Sequence, residues 1–365
     1  MTKAAELAKM GEVLTNSQIG GRRNLIINGA MQFDQRNCGN EVVPASNLNA
    51  YIIDRFRYNA SQASKLKVQQ NAQAITPPSG FSNYLGVTVN ATHTVASTDN
   101  FFLTYFVEGH DSAHLDFGKS TAKTVTLSFY VQSSLTGTFS GSIVNSAENR
   151  AYPYTYTINT ADTWERKTIT IAGDTSGTWI GATNGKGLML TFSLGMGSNF
   201  TGTAGQWNGA QDFGATGETV KLVENASAQW KMTGLQLEVG QVTNFEHRSF
   251  GETLALCQRY YTLIAEGASK PIAVAMNFTS SNMYSTVHLP TDMRASPTIE
   301  VTSGTNYYQF IRNIGADNID DFFLQMTSNR IVEINNTSDI SGTSGHAGFI
   351  RTNNTASKFA LKAEL

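Results

Sequence analysis

The sequence predicts an all-β protein, with a short N-terminal helix, a jelly-roll β-sandwich, a linking helix and a smaller C-terminal β-sandwich domain. Three observations support this prediction. Apolar residues alternate with Thr and Ser in short segments, as half-buried antiparallel strands require. The 32 Gly residues punctuate these segments and mark turns. No segment between residues 24 and 240 has a helical period long enough for a βαβ crossover.

The N-terminal helix is predicted within residues 1–21. Leu7, Met10 and Leu14 fall at positions i, i+3 and i+7, with Ala4 and Ala8 beside them. This apolar stripe is thin and the helix is short, so the helix needs a partner to be stable. Two interpretations stay open: a terminal helix that packs on its own domain, and an anchor or trimerisation helix.

The jelly-roll sandwich is predicted over residues 22–248. In its clearest strand, TVTLSFYVQ, one face carries Val125, Leu127, Phe129 and Val131. The same alternation recurs at residues 84–89, 167–173 and 187–192. Strands at this spacing, separated by Gly and Asn, are typical of a sandwich or jelly roll.

One segment of the sandwich, WKMTGLQLEVG at residues 230–240, changes phase. Trp230 and Met232 lie in one phase, whereas the later apolar residues Leu235, Leu237 and Val239 lie in the other. Because a shift of one residue turns side chains to the opposite face, the change predicts a β-bulge at Thr233 or Gly234. Gly suits such a position.

A linking helix is predicted over residues 249–267. Ser249 and Glu252 have the spacing of a capping box. An apolar stripe follows at Leu254, Cys257 and Tyr261, and Gly267 is expected to end the helix. Residues 268–365 resume short strands, among them STVHLP, PTIEV, FFLQM and RIVEI, and are predicted to form a distal β domain.

Composition argues against several functional classes. The net charge is −2 and charged residues make up 15 % of the chain, so no electrostatic attraction to nucleic acid or acidic membranes is expected. No window approaches 18 apolar residues, and the N-terminus lacks the apolar core of a signal peptide, so neither membrane insertion nor secretion by a signal is expected. Cys38 and Cys257 lie too far apart in sequence to indicate a disulfide framework or a zinc site.

Two stretches carry a specific likeness to known proteins. RRNLIINGAMQFDQRN with YIIDRFRY, and MTGLQLEVGQVTNFEHRSFGETLALCQRYY, resemble a widespread group of bacteriophage virion proteins, the tail fibre or receptor-binding proteins. VEGHD, KTVTLSFYVQSSLTGTFS and DTWERKTITIAGDTSGTW fit the same pattern in the same order. The resemblance covers roughly residues 22–262. NLIINGAMQ also resembles the first strand of jelly-roll sugar-binding modules.

This resemblance implies a virion protein whose jelly roll is similar to a carbohydrate-binding module. It also implies a homotrimer, assembled in the host cytoplasm, that becomes part of a tail appendage. The N-terminal region would contact other virion tail proteins, and the distal domain would touch a host cell-surface glycan. The function expected from it is non-enzymatic host attachment. Two alternatives stay open: a purely structural role, as a capsid decoration or tail adaptor, and a glycan depolymerase.

Glycan binding requires exposed aromatic faces with amide or hydroxyl groups beside them. The Gly-rich segment 195–218 offers Phe200, Trp207 and Phe213, with Asn199, Asn208 and Gln211. The distal domain offers Tyr307 and Tyr308, and further along His346 and Phe349. For all of these aromatic residues, core packing is the alternative, and in the distal domain trimer contact is another.

The charged residues around the linking helix are Glu246, His247, Arg248, Glu252 and Arg259. We expect them to fix the domain junction, with Arg248 or Arg259 paired to a carboxylate, rather than to catalyse a reaction. Asp320 and Asp321 are adjacent and would point to opposite faces of a strand, so they do not form a hydrolase pair.

A calcium ion is the one metal that the sequence leaves open. Asp34, Asp54 and Glu238 could supply hard oxygen ligands, but no contiguous Asp-rich loop is present. Ion pairs with Arg36 and Arg55 are the favoured interpretation. We therefore expect neither a metal nor a cofactor.

Overall fold

The structure is a computed structural model that describes residues 2–5, 22–45, 49–181, 183–313 and 315–365. The chain divides into two compact units, Met1–Arg248 and Ser249–Leu365. Strands account for 42 % of the structure and helices for 8 %, which confirms the predicted all-β sandwich class. Of the predicted N-terminal helix, residues 3–5 are helical. Its remainder, residues 6–21, lies outside the described residues, so its role as an anchor stays a prediction.

The first unit is built from short strands. They are β1 (Tyr51–Ile53), β2 (Phe56–Ala60), β3 (Leu66–Gln70), β4 (Leu85–Val89), β5 (Asn100–Glu108), β6 (Val125–Ser133), β7 (Gly137–Asn145), β8 (Ala151–Ile158), β9 (Glu165–Ile171), β10 (Lys186–Met196), β11 (Thr201–Gly202), β12 (Gly214–Ala215) and β13 (Gln229–Val239). A single helical turn, α1 (Gly109–Ser112), follows β5. Short 3-10 turns occur at Ala72–Ala74, Ala113–Leu115, Ser198–Phe200 and Leu222–Glu224.

Two antiparallel sheets form the sandwich. Among the described residues, one sheet has the order β1-β2-β5-β10-β7-β8 and the other has the order β3-β4-β13-β6-β9. Many neighbouring strands are not consecutive in the chain, which is how jelly-roll connections carry the chain from sheet to sheet. The core lies between the sheets: Phe129 of β6 contacts Phe192 of β10, with ring centroids 5.3 Å apart. Trp230 of β13 is fully buried and donates from Nε1 to the Tyr156 hydroxyl of β8 at 3.1 Å.

The predicted bulge in β13 is confirmed. The pairing register between β13 and β6 shifts between Thr233 and Gln236, and Gly234 has φ +64°. Apolar side chains on both sides of the shift belong to one core, namely Trp230, Met232, Leu235, Leu237 and Val239. The extra residue therefore turns two opposite phases of the sequence toward the same interior.

The bulge also marks the point where β13 changes its neighbouring segment. Pairing with β4 ends at Met232. Beyond that point the start of the first unit lies alongside: Leu25 N donates to Leu237 O, and Leu235 N donates to Gly29 O, both at 2.9 Å. The segment NLIINGAMQ is thus hydrogen-bonded to β13 at Leu25 and Gly29 but turns at residues 27–30 and has no regular strand of its own.

The second unit contains one helix and a further set of strands. The helix is α2 (Phe250–Gln258). The strands are β14 (Tyr261–Glu266), β15 (Pro271–Asn277), β16 (Met283–His288), β17 (Thr298–Val301), β18 (Tyr308–Arg312), β19 (Gly315–Ile319), β20 (Phe323–Thr327), β21 (Ile331–Asn336), β22 (Ala347–Thr352) and β23 (Lys358–Lys362). A sheet of order β14-β23-β17 packs on a larger sheet of order β19-β18-β22-β15-β16-β21-β20.

The linking helix is shorter than predicted. Its N-cap is present, because the Ser249 side chain accepts a hydrogen bond from Glu252 N at 3.3 Å, which is one of the two bonds of a capping box. The helix nevertheless ends at Gln258, and the expected end at Gly267 is wrong. Residues 261–266 form an antiparallel strand that pairs with β23, and Tyr261 and Ala265 of residues 261–266 are buried. Gly267, with φ +81°, instead follows the strand at a turn.

Gly234→Val tests the bulge. A Cβ at this position would lie 2.7 Å from Phe81 Cζ and 3.0 Å from Tyr130 Cδ2, at a positive φ that a branched residue resists. We expect the free energy of unfolding of the first unit to fall by about 2–4 kcal/mol, measured by urea titration of tryptophan fluorescence. Gly209→Val is the matched control, because no described atom lies within 4 Å of its Cβ. Equal losses in the two variants would contradict the assignment.

Candidate functional site

The Gly-rich segment 195–218 lies over the outer face of the sheet that contains β5 and β10. Phe213 is buried and stacks on Phe102, with ring centroids 4.9 Å apart. Phe200 stacks in turn on Phe213 at 5.9 Å. Thr191 donates from its hydroxyl to Phe213 O at 2.7 Å and fastens the segment to β10. Phe213 is thus a packing residue, whereas Phe200 is half-buried and its glycan role stays a prediction.

The polar residues of this segment have partners within the first unit. Asn208 exchanges backbone hydrogen bonds with Ala151, and its side chain donates to Thr203 O at 3.3 Å. Gln211 donates to the Glu148 carboxylate at 2.6 Å, while Asn199 is exposed. A glycan contact at Asn208 stays a prediction, because the Asn208 side chain would have to give up its hydrogen bond to Thr203 O in order to donate to a sugar hydroxyl.

Trp207 belongs to a group of four aromatic rings. Its ring lies 5.2 Å from Tyr152, 5.5 Å from Trp179 and 5.7 Å from Phe117, all edge to face. Trp207 Nε1 donates to Ala172 O at 2.8 Å. These contacts fix the Trp207 ring as a support for its neighbours. We call Tyr152, Phe117, Trp179 and Trp207 the aromatic group.

A pocket of about 230 Å³ opens beside the aromatic group. Two members of the group, Phe117 and Trp179, line it, together with Asp116, Lys119 and Ser112. Its volume is below the roughly 300–1,000 Å³ of sites for drug-sized ligands, so it has room for about one sugar ring. The pocket combines flat apolar surface with charged hydrogen-bonding groups.

The indole of Trp179 is held in place by an ion pair whose carboxylate is buried. Trp179 Nε1 donates to Asp174 Oδ2 at 3.2 Å. Asp174 is 1 % exposed and accepts two hydrogen bonds from Arg150, at 2.9 and 2.5 Å. Gly118 N also donates to Asp174 O at 2.7 Å, which joins the two loops that form the pocket. The ring therefore pays little conformational entropy when a ligand stacks on it.

Asp116 stays ionised at the rim of the pocket. Its backbone has φ +55°, which presents the side chain at a turn. The hydrogen bond from Lys119 Nζ, 2.8 Å long, lowers the pKa of Asp116 below its ordinary value. A carboxylate with a neighbouring ammonium offers both an acceptor and a donor to ligand hydroxyl groups.

The sequence prediction included Trp207 but missed Trp179, Phe117 and Asp116. The signal available in the sequence was a glycine near two of these residues: Gly118 follows Phe117, and Gly177 precedes Trp179 by two positions. In the structure both glycines have positive φ. A Cβ on Gly118 would lie 2.8 Å from Gly177 O, so the two loops approach this closely because residue 118 is glycine, while a Cβ on Gly177 would lie 2.6 Å from Arg150 Cγ. Sequence alone does not reveal that these loops touch.

In the second unit, one predicted glycan-binding residue is wrong. Tyr308 is fully buried, and its hydroxyl donates to Lys358 O at 2.7 Å, so no ligand can reach its ring. Tyr307 is half-buried, packs against the core and lies over Gly304. His346 N bonds to Thr343 O in a turn, and Phe349 is 47 % exposed on β22. Glycan contact at Tyr307 stays a prediction.

The predicted junction residues fasten the beginning of the first unit to its end. Glu246 Oε2 accepts hydrogen bonds from Arg23 N at 2.6 Å and Asn24 N at 3.0 Å. The Arg248 guanidinium donates to Asn24 O and, at 3.2 Å, to Ile26 O. Arg248 Nε also lies 3.8 Å from Glu246 Oε1, so Arg248 is paired with a carboxylate as predicted.

The other junction residues have separate surroundings. The exposed His247 ring contacts Phe245 and Phe81, with centroids 4.9 and 5.4 Å away. Glu252 occupies the first turn of α2, and Arg259 O accepts a hydrogen bond from Arg294 N at 2.8 Å. An orienting role between the domains stays a prediction.

The three carboxylates considered for calcium have separate protein donors. Asp34 accepts from Asn37 N and Gly39 N at 2.9 and 2.8 Å, and Asp54 accepts from the Gln35 side chain at 3.0 Å. Glu238 accepts from Thr243 N and the Thr243 hydroxyl at 2.8 and 2.7 Å. Within the described ranges, no group of three or more His, Cys, Asp or Glu side chains is arranged to hold a metal ion.

The adjacent carboxylates of Asp320 and Asp321 have different surroundings. Asp320 Oδ1 accepts a hydrogen bond from Asn306 N at 2.7 Å. Burial raises the pKa of Asp321, and the nearby Asp339 and Asp320 raise it further. Their arrangement as a non-catalytic pair stays a prediction, as does the absence of enzymatic activity.

In the part of the chain that the structure describes, no helix is both long enough and apolar enough to cross a membrane.

No protein-family model and no curated protein matches the sequence. Solved structures similar to the chain include the enzymatically active domain of bacteriophage CBA120 tailspike protein 4. That match has 10 % identity and a TM-score of 0.31, and covers 60 % of this chain and 21 % of the tailspike chain. TmCBM61 in complex with β-1,4-galactotriose matches with 10 % identity and a TM-score of 0.31, over 60 % of this chain and all of that one.

A third similar structure is the family 11 carbohydrate-binding module of the Clostridium thermocellum cellulase Lic26A-Cel5E. It has 10 % identity and a TM-score of 0.27, and the match covers 58 % of this chain and 99 % of the module. These values are too low to transfer a ligand or an activity to this chain. The sandwich is therefore assigned from its own two sheets and the core between them.

Glu246→Gln tests whether the carboxylate fastens residues 22–26. A Gln side chain can place its carbonyl oxygen where Oε2 stands, but both backbone hydrogen bonds then lose their charged acceptor, and Arg248, 8 % exposed at its side chain, loses its counter-charge. We expect the first unit to lose about 1–3 kcal/mol of unfolding free energy in urea titrations at neutral pH. Glu41→Gln is the control: Glu41 forms an exposed pair with Lys67 at 3.0 Å, for which about 0–1 kcal/mol is expected. A loss no larger than that of the control would refute the fastening role.

Proposed function

We propose that this chain is a non-enzymatic bacteriophage virion protein that binds carbohydrate on the host cell surface. In this proposal it is a tail fibre or receptor-binding protein located in a tail appendage, and it acts as a homotrimer. Residues 1–21 join it to other virion tail proteins. The proposal involves neither nucleic acid nor membrane insertion as a target.

The single observation that carries the binding function is the preorganised ring of Trp179 at the pocket. The buried Asp174 carboxylate, paired with Arg150, fixes the indole, while the charged Asp116 and Lys119 lie on the rim of the same pocket. A sugar ring has apolar C–H faces and a hydroxyl edge. Stacking of one face on the indole would bring ring hydroxyl groups within reach of the carboxylate and the ammonium.

The assignment to a virion is supported by the sequence resemblance over roughly residues 22–262. The composition agrees with it, since a net charge of −2 gives no drive toward nucleic acid. The small pocket also fits a multivalent protein, because a site for about one sugar ring binds weakly by itself. Three linked copies would convert weak sites into firm attachment through effective concentration.

Trp179→Ala tests the pocket in the purified protein. Screening on a glycan array identifies the bound sugar class, and calorimetry with the corresponding monosaccharide or disaccharide then gives the affinity of one site. We expect the variant to bind about tenfold more weakly, because loss of the stacking surface removes roughly 1–1.5 kcal/mol.

Trp164→Ala is the matched control for this measurement. Trp164 is a half-buried tryptophan in the first unit that contacts Tyr84 and donates to Thr76 O at 3.0 Å, away from the pocket. It should bind as the wild type does. Unchanged affinity in Trp179→Ala, or an equal loss in Trp164→Ala, would reject the pocket as the glycan site.

Phage particles that carry Trp179→Ala separate attachment from a structural role. We expect normal particle yield and normal content of this protein, with adsorption to host cells slowed by at least about tenfold, because the loss at each site compounds over several sites. Adsorption assays and quantitative protein gels of purified particles provide the measurement. Wild-type adsorption would instead favour a capsid decoration or tail adaptor, and release of oligosaccharide from host polysaccharide would favour a depolymerase.

A further inference from the structure

The larger sheet of the second unit exposes apolar side chains on its outer face. We define the apolar face by Val274 and Met276 on β15, Phe278 after β15, Met326 on β20 and Phe349 on β22. Val274 is 73 % exposed, Met326 is 65 % exposed and Phe278 is 62 % exposed. In the described part of the chain, Val43 is the one large exposed apolar residue outside the second unit. The exposure is thus a property of one unit.

The strand register makes this face continuous. Val274 is paired directly with Phe349, and Met276 is paired directly with Tyr284. The Phe278 ring packs edge to face on Tyr284 at 5.2 Å. Directly paired residues lie on the same side of a sheet, so these side chains form one surface that spans β22, β15 and β16.

Beyond β16, the surface continues over two further strands. Thr286 of β16 is paired with Glu333 of β21, which is paired in turn with Met326 of β20. The register between β20 and β21 shifts between Leu324 and Met326, and this bulge turns both Phe323 and Met326 outward, at 51 % and 65 % exposure. The outward apolar side chains therefore reach across most of the sheet, with the polar Thr286 and Glu333 between those of β15 and those of β20.

The opposite side of the same sheet is already packed. Ala275, Ser285 and Ile334, which alternate with the outward residues, are buried, and Ala275 and Ile334 belong to the core shared with the smaller sheet. An antiparallel sheet with one packed face usually presents polar residues on the other. This sheet departs from that pattern, so its outer face needs a separate explanation.

The shape and charge of the face narrow the choice of partner. The face encloses an open trough of about 1010 Å³, lined by residues including Val274, Met276 and Tyr284. Of the described residues that line it, the acidic and basic ones are Glu333 and His288. A sugar would find few hydrogen-bonding groups here, and a strongly charged partner would find little to pair with.

The exposed area of the apolar face is comparable to the apolar centre of a protein–protein interface. At the stated exposures, its large apolar side chains present on the order of 500 Å² to solvent, at the upper end of what a monomer usually exposes. A standard protein–protein interface takes about 800 Å² from each partner, with an apolar centre and a polar rim. The apolar face would supply more than half of that area.

We propose that the apolar face is covered by other copies of this chain, packed around a symmetry axis. A largely apolar surface needs no opposite charge on its partner, so it can pack on copies of itself, and Glu333 and His288 are the acidic and basic residues that such a contact approaches. The assembly is thereby held through the second unit, independently of residues 1–21. This proposal locates the contact for the proposed homo-oligomer, but it does not depend on the glycan pocket.

Val274→Lys tests the proposal in the full-length protein. Because Val274 is 73 % exposed, a lysine fits there in the single chain, whereas in an assembly it would bury an unpaired charge. Sedimentation velocity should show the wild type as an oligomer and Val274→Lys at the mass of a single chain. Met326→Lys, on a different strand, should give the same result and guards against a folding defect peculiar to one position.

Thr168→Lys is the control, since Thr168 is an exposed strand residue of the first unit and receives the same charge. It should sediment as the wild type does. The proposal is overturned if the wild type is a single chain at every concentration, or if both lysine variants keep the wild-type mass. Glycan affinity per site, measured on Val274→Lys, should equal that of the wild type; a failed pocket would therefore show in Trp179→Ala and not in these masses.

Discussion

Strand β13 carries apolar residues in two opposite phases, and its bulge places both sets in one core. The first unit is organised around this strand. Before the bulge, β13 pairs with β4 and β6; after it, residues 24–29 replace β4. The bulge frees Leu235 N to reach Gly29 O and keeps Leu237 inside. Gly234 is the residue that makes this possible, because its φ is positive and Phe81 fills the space where a Cβ would stand. The contacts of Glu246 and Arg248 with residues 23–26 depend on that same alignment.

The candidate site depends on a second close approach, between the loop around Gly118 and the loop around Gly177. Burying Asp174 with Arg150 costs desolvation, which hydrogen bonding to two loops and one indole offsets. The result is a fixed Trp179 ring beside an ionised Asp116.

The second unit distributes its apolar residues differently. The first unit covers the outer face of one sheet with its own Gly-rich segment, where Phe213 stacks on Phe102. The larger sheet of the second unit has no comparable cover among the described residues, and Val274 and Phe349 face outward as a direct pair. The same physical requirement, shielding of apolar surface from water, is met within the chain in one unit and, in our proposal, between chains in the other.

The sequence by itself determined the fold class, the positions of several strands, the bulge in β13 and the cap of α2, because alternation, phase and capping are local patterns. It misjudged the end of that helix, since pairing with the distant β23 overrode the local apolar stripe at Tyr261. It also could not separate Tyr307 from the buried Tyr308, or single out Trp179 near Trp207. Those distinctions depend on which loops and strands meet across 30 to 100 residues of chain, and only tertiary packing decides that.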